Sequence, residues 1–125
     1  MDEKLQRITI AKTTGWTSKL VPPTPDGPEN PYGEFQHTWW CNPQGKYTTL
    51  PDYLNDLNAM HEAEKSLFFK ESLARKIFGG YLVSIVKGNL GQAYNPSKED
   101  WINSQSATAS QRAEAFLRTI GEWID

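Results

Sequence analysis

Apolar residues recur at three- and four-residue intervals along much of this 125-residue chain, and that spacing predicts helices. The clearest predicted helix covers residues 51–67 and begins near Pro51, because proline is well tolerated in the first helical turn. A shorter helix is predicted over residues 2–14. Acidic residues open it, where the helix dipole favours negative charge, and Gly15 suits its C-terminal cap.

The last predicted helix has the most specific start signal in the chain. Thr108 and Gln111 fit a capping box, in which each side chain accepts a hydrogen bond from the backbone amide of the other. Gly121 predicts the end of this helix. Helical spacing places four apolar residues on one face: Ala113, Phe116, Leu117 and Ile120.

Residues 71–87 carry mixed signals. Leu73, Ile77 and Tyr81 recur at helical spacing, which favours a helix through about Phe78 or beyond. The glycine pair at 79–80 interrupts that pattern, and the following YLVSIV has the composition of a strand. The pattern therefore leaves residues 79–86 open between helix and strand.

Aromatic and β-branched residues indicate the strands. A short strand is predicted over residues 16–21, and a hairpin is predicted from residues 35–41 and 46–50. The turn of that hairpin reads Asn-Pro-Gln-Gly. Pro43 fixes one φ angle there, and Gly45 supplies the permissive position.

A further short strand is predicted over residues 100–105, and residues 88–97 are predicted as loop. Residues 22–33 hold five prolines and two glycines, which excludes a helix or a central strand and predicts an exposed loop. The order of elements predicts one domain over residues 1–125, of the α+β class, with helices packed on a small antiparallel sheet.

Composition narrows the function classes. The net charge is −2, so no chain-wide field attracts nucleic acid, and nucleic-acid binding is not favoured. No apolar run approaches the length of a membrane span, and the N-terminus does not resemble a signal peptide. These features predict a cytoplasmic protein without membrane contact. No cofactor motif is present.

Two stretches of the sequence resemble the phage ABA sandwich domain family. They are LPDYLNDLNAMHEAEK at residues 50–65 and ATASQRAEAFLRTIGEW at residues 107–123. Gly15-Trp16 and the WCNPQG of the predicted hairpin also lie where such proteins have a tryptophan and a turn. The middle of the chain departs from the family pattern. The resemblance implies an α/β sandwich and a phage or prophage setting in a host cell, and it implies no reaction.

Two predicted helices carry polar residues that could bind a ligand. Arg112 lies near a helix start, where an anion is favoured, and Asn55 and Asp56 lie in a polar helix start that could form a pocket floor. Helix capping explains most of these residues without any ligand. The candidate ligand-binding set is Asn55, Asp56, His61, Thr108, Gln111 and Arg112.

Metal and catalytic motifs are not evident in the sequence. Cys41 is the only cysteine, and the order His-x-x-Glu at His61 and Glu64 occurs once and is not a paired ligand motif. Adjacent Trp39 and Trp40 would face opposite sides of a strand, so one of them is a candidate for an interface. An exposed tryptophan on a strand favours self-association as a homo-oligomer.

These observations favour a non-enzymatic accessory protein of phage or prophage origin. It would bind and inhibit a host component, with anti-defence activity as the specific hypothesis. The first alternative is a protein that binds a nucleotide signal at the Thr108–Arg112 helix start. The second alternative is a hydrolase whose catalytic residues are distant in sequence.

Overall fold

The computed structural model describes residues 1–21, 37–70, 72–90 and 96–125, which form five helices and one two-stranded antiparallel sheet. The predicted α+β class is confirmed. The predicted loop at residues 22–33 lies outside the described residues. The elements in chain order are α1 Glu3–Thr13, β1 Thr17–Val21, β2 His37–Cys41, α2 Leu57–Lys70, α3 Ser72–Lys87, α4 Lys98–Ser104 and α5 Ala109–Thr119.

The predicted first helix and first strand are confirmed as α1 and β1. The carboxylate of Asp2 caps α1 by accepting a hydrogen bond of 2.7 Å from the amide of Leu5. Gly15 ends the helix with a φ of +101°, a conformation that other residues adopt at a cost. The chain then turns directly into β1.

The hairpin prediction is partly wrong. β2 pairs along its length with β1, from Thr17 opposite Cys41 to Val21 opposite His37, and residues 46–50 contribute only a single bridge between Cys41 and Tyr47. Arg7 of α1 donates hydrogen bonds to the carbonyls of Leu50 and Pro51, and Pro51 has no amide hydrogen. The end of this segment therefore has few groups left for a sheet ladder.

The predicted turn between the two hairpin segments is confirmed. The amide of Gly45 donates to the carbonyl of Asn42 at 2.9 Å, and Gly45 has a φ of +87°. The side-chain oxygen of Asn42 accepts from the amides of Gln44 and Lys46, which is how asparagine stabilises such a turn.

The second helix begins later than predicted. Residues 52–55 form a turn closed by the carbonyl of Asp52, which accepts from the amides of Asn55 and Asp56. The carboxylate of Asp56 then accepts from the amides of Asn58 and Ala59, so Asp56 caps α2 and the helix starts at Leu57 rather than near Pro51.

Residues 79–86, for which the sequence allowed either a helix or a strand, are helical. They belong to α3, which continues through the glycine pair. Its Gly79 lies against the ring of Trp101 in α4. A Cβ on Gly79 would lie 3.2 Å from the Cζ3 atom of that ring, so the glycine permits close packing of the two helices.

The strand predicted at residues 100–105 is wrong, because residues 100–104 belong to α4 and Gln105 is its C-cap. Ser97 and Asp100 form a capping box. The amide of Asp100 donates to the Ser97 hydroxyl at 3.1 Å, and the amide of Ser97 donates to the Asp100 carboxylate at 2.9 Å. This cap satisfies the first amides of the helix and fixes its start.

The hydrophobic core is centred on α5. Ala113, Ala115, Phe116 and Leu117 are fully buried, and α5 packs on α1, α2 and α3. The buried turn residues Tyr53 and Leu54 complete the core between these helices. No helix in the described part of the chain is long and apolar enough to cross a membrane.

Candidate functional site

The packing of α2 against α5 brings together two charged residues that are 48 positions apart. Arg112 donates from Nε to Oε2 of Glu64 at 3.0 Å and from a terminal nitrogen to Oε1 at 2.9 Å. The Glu64 side chain is 4% exposed and that of Arg112 is 13% exposed. This is a bidentate, buried ion pair, and the sequence pattern did not identify Glu64 as the partner of Arg112.

The surroundings of Glu64 and Arg112 are typical of an ion pair that stabilises a fold. Burial raises the pKa of the Glu64 carboxyl above its ordinary value of 4.5, while the hydrogen bonds and the charge of Arg112 and the charge of His61 lower it only in part. The guanidinium carbon of Arg112 lies 5.7 Å from the centre of the Phe78 ring, in cation–π range.

An open groove of about 540 Å³ runs over this ion pair. His61 lies at its edge, with a side chain that is 44% exposed, and its Nδ1 is 3.7 Å from Oε2 of Glu64. That distance is too long for a hydrogen bond. The charges around the groove are balanced, because Glu62 pairs with Lys65 and Glu64 with Arg112. The lining residues are Asn58, His61, Glu62, Glu64, Lys65, Phe68 and Arg112.

The structure therefore brings together two of the six candidate ligand-binding residues, His61 and Arg112. Asn55 donates from its amide nitrogen to both carboxylate oxygens of Asp52, and Asp56 caps α2. Neither residue lines the groove.

Thr108 and Gln111 form the capping box that the sequence predicts. The amide of Thr108 donates to Oε1 of Gln111 at 2.9 Å, and the amide of Gln111 donates to the Thr108 hydroxyl at 3.1 Å. These side chains satisfy the start of α5, and they do not line the groove beside Arg112.

A second groove, of about 460 Å³, lies between the 42–45 turn and α2. Tyr53 and Trp16 line it beside polar groups of Asn42 and Gln44. Burial raises the pKa of the Tyr53 phenol, and hydrogen bonds with the side chains of Thr14 and Trp16 lower it in part. The sequence pattern did not predict this groove, because its walls come from four separate segments.

The two candidate interface tryptophans differ in exposure, as alternation along β2 requires. Trp39 is exposed and contacts Tyr47 edge-to-face, with ring centres 5.8 Å apart, while Trp40 is half-buried. Cys41 is also half-buried, and its thiol donates to the carbonyl of Asn42 at 3.6 Å. Among the described residues, no group of three or more His, Cys, Asp or Glu side chains could hold a metal ion.

Large apolar side chains are exposed on the outer surface of α3 and α4, and the sequence pattern did not single them out. Leu73, Ile77, Trp101 and Ile102 are between 41% and 64% exposed. Leu73 and Ile77 recur at helical spacing, but that spacing does not distinguish a core face from an exposed one. Trp101 and Ile102 lie in a segment that the sequence pattern predicted as a strand.

Comparisons of the chain with protein-family models, with curated proteins and with solved structures gave no match. The resemblance to the phage ABA sandwich domain family therefore stays a prediction.

Proposed function

We propose that this chain is a non-enzymatic accessory protein of phage or prophage origin that binds and inhibits a host component, as an anti-defence inhibitor. The observation that carries the proposal is the exposure of Leu73, Ile77, Trp101 and Ile102 on helical surfaces. Exposed apolar side chains on rigid elements are typical of protein-binding surfaces. The phage setting comes from the sequence resemblance alone.

The hydrogen bonds formed by the candidate ligand-binding residues support the same proposal. Arg112, the strongest candidate for binding an anion, directs two donors at Glu64 within the protein. Thr108, Gln111 and Asp56 satisfy helix amides. Side chains that a small-molecule site would use therefore stabilise the fold.

The experiment is a plating assay in bacteria that carry individual phage-defence systems. The chain is expressed from a plasmid, and a phage that the defence system blocks is plated on each strain. We expect the plating efficiency to rise on at least one strain, because a bound inhibitor removes the active host component. No rise on any strain of a broad panel contradicts the proposal.

A matched variant separates binding through another surface from a role of this groove. His61→Ala removes the imidazole at the edge of the groove, which forms no hydrogen bond with the Glu64–Arg112 pair. A binding protein that acts through another surface keeps its effect on plating in this variant. Loss of the effect with normal folding assigns the activity to this groove, as both the hydrolase and the nucleotide-binding alternatives require.

Nucleotide binding remains the second candidate, and the open groove of about 540 Å³ is the observation that favours it. Phe68 offers a ring for stacking, and His61 and Lys65 offer polar groups beside it. Thermal unfolding with a panel of nucleotides tests this function. A ligand at a hundredfold excess over its dissociation constant adds about 2.7 kcal/mol to the free energy of unfolding. Unchanged melting curves across the panel reject it.

A further inference from the structure

The groove between the 42–45 turn and α2 has the size of a small-molecule site. Its volume is about 460 Å³, and Trp16 and Tyr53 contribute aromatic rings to its lining. We call it the Trp16 groove. It shares only Glu62 with the groove over the buried ion pair, and none of the six candidate ligand-binding residues lines it.

Contacts within the fold hold the walls of the Trp16 groove in place. The side-chain oxygen of Asn42 accepts from the amides of Gln44 and Lys46 at 3.0 and 2.9 Å, which fixes the turn. A Cβ on Gly15 would lie 3.3 Å from Cγ of Pro43, so the turn packs closely against the end of α1. A groove with fixed walls is preformed, and this lowers the entropic cost of binding a ligand.

One side of α2 forms the opposite wall. Its lining residues Ala59, Glu62, Ala63 and Ser66 lie within about 100° around the helix. Three of these side chains are small and leave space, so Glu62 is the only long side chain of the four. The side chains of Ser66 and Gln44 form no hydrogen bond with another described residue, and both can accept one from a ligand.

The charge of the Trp16 groove is one-sided. Among the described residues that line it, Glu62 is the only charged one, whereas Lys65 and Arg112 line the other groove. The Glu62 carboxylate lies 3.1 Å from Nζ of Lys65, and both side chains are 74% exposed. An exposed pair of this kind contributes little stability, so the carboxylate can accept another cation. The rings of Trp16 and Tyr53 also attract cations.

We infer that the Trp16 groove binds a small organic amine in its cationic form. The ammonium group would pair with the Glu62 carboxylate, where Lys65 already shows that an ammonium is accepted at 3.1 Å. The apolar body of the amine would pack on Trp16, and Ser66 and Gln44 would accept its remaining N–H groups. This inference is independent of the proposed binding function, because no exposed apolar residue of α3 or α4 lines the groove.

The test compares three small ligands of similar size at neutral pH: phenethylamine, which is a cation, 2-phenylethanol, which is neutral, and 3-phenylpropanoate, which is an anion. Amide and indole resonances of the full chain are followed by NMR during each titration. We expect phenethylamine to shift the Trp16 indole resonance and the amides of residues 42–45 and 59–66, with a dissociation constant at or below about 1 mM. The alcohol should bind about fivefold more weakly, because it lacks the charge. The anion should bind more weakly still, because Glu62 repels it.

Variants at two exposed positions separate the charge from the fold. Glu62→Gln should lower the affinity for phenethylamine about fivefold and leave the affinity for the alcohol unchanged. Lys65→Ala should raise the affinity for phenethylamine about twofold, because it removes the ammonium that competes for Glu62. Glu122→Gln, at an exposed carboxylate outside the groove, should leave all three affinities unchanged.

Several results overturn the inference. Equal affinities for the amine and the alcohol, or unchanged spectra at about 10 mM phenethylamine, exclude an ammonium site. Shifts centred on Phe68 and Arg112 place the amine in the other groove. An affinity for phenethylamine that Glu62→Gln leaves unchanged excludes the carboxylate as its partner. Tighter binding of N-acetyl-lysine methylamide than of phenethylamine assigns the groove to a lysine side chain of another protein instead of a small molecule.

Discussion

At the scale of single residues, the buried Glu64–Arg112 pair dominates the electrostatics. Each partner satisfies the other, because two parallel hydrogen bonds join the guanidinium to the carboxylate. Removing one partner leaves a buried charge, whereas replacing both leaves none. The pair therefore specifies how α2 and α5 meet more than it adds net stability.

Arg112→Met should lower the free energy of unfolding by about 3–5 kcal/mol, because the carboxylate of Glu64 stays buried without its donors. The double variant Glu64→Met/Arg112→Met should lose much less, since no uncompensated charge remains. Urea unfolding of the four proteins in this cycle measures both effects. A loss in the double variant equal to the sum of the two single losses would show that the charges do not interact.

The raised pKa of Glu64 makes stability depend on pH in a defined direction. Its folded-state pKa lies above the ordinary value of 4.5, so between the two values the folded state binds more protons than the unfolded state. The contribution of this group is therefore fully present below 4.5 and is lost as pH rises through the folded-state pKa. NMR titration of the Glu64 carboxyl carbon should give a midpoint above 4.5, and Glu64→Gln should remove this part of the pH dependence. A midpoint below 4.5 would show that Arg112 outweighs burial.

At the scale of elements, helix caps explain both the correct and the wrong sequence predictions. The Thr108–Gln111 box predicted the start of α5 correctly because its spacing and residue types are specific. The equivalent box at Ser97 and Asp100 has aspartate in place of the usual glutamate or glutamine, so the sequence pattern did not identify the start of α4. Pro51 suggested a helix start that Asp56 provides five residues later, because a carboxylate cap satisfies amides that proline cannot.

Alanine substitutions at the two adjacent glycines of α3 should change stability by different amounts, and each serves as a control for the other. Gly80→Ala should raise the free energy of unfolding by about 0.5–1 kcal/mol, because a Cβ there meets nothing and alanine favours the helix. Gly79→Ala should gain less, because its Cβ would lie 3.2 Å from the Trp101 ring and the ring would have to move. Thermal or urea unfolding compares the two. A larger gain at Gly79 would contradict the packing of α4 on α3.

At the scale of the whole molecule, distant pairing limits what a single sequence predicts. The local spacing of residue types was enough to predict the α+β fold class, the order of α1 and β1, and the helix α5. The meeting of Glu64 with Arg112 and the groove above it do not, because those contacts depend on how α2 and α5 cross after folding. Four of the six candidate ligand-binding residues do not line that groove. Their side chains form local hydrogen bonds with backbone amides or with nearby side chains instead.

The position of α5 predicts how the molecule unfolds. Its fully buried Phe116 lies where α1, α2 and α3 converge on one helix, whereas no described side chain of β1 or β2 belongs to the core cluster. Phe116→Ala should therefore lower the free energy of unfolding by about 3–5 kcal/mol, a large share of the total for a small domain.

Native-state hydrogen exchange should show the α5 amides opening only with global unfolding and the paired β1–β2 amides opening at lower free energy. In Phe116→Ala the α5 amides should lose protection by the full change in stability. If the β1–β2 amides proved as protected as those of α5, the sheet would belong to the same cooperative unit and the core would extend beyond the helices.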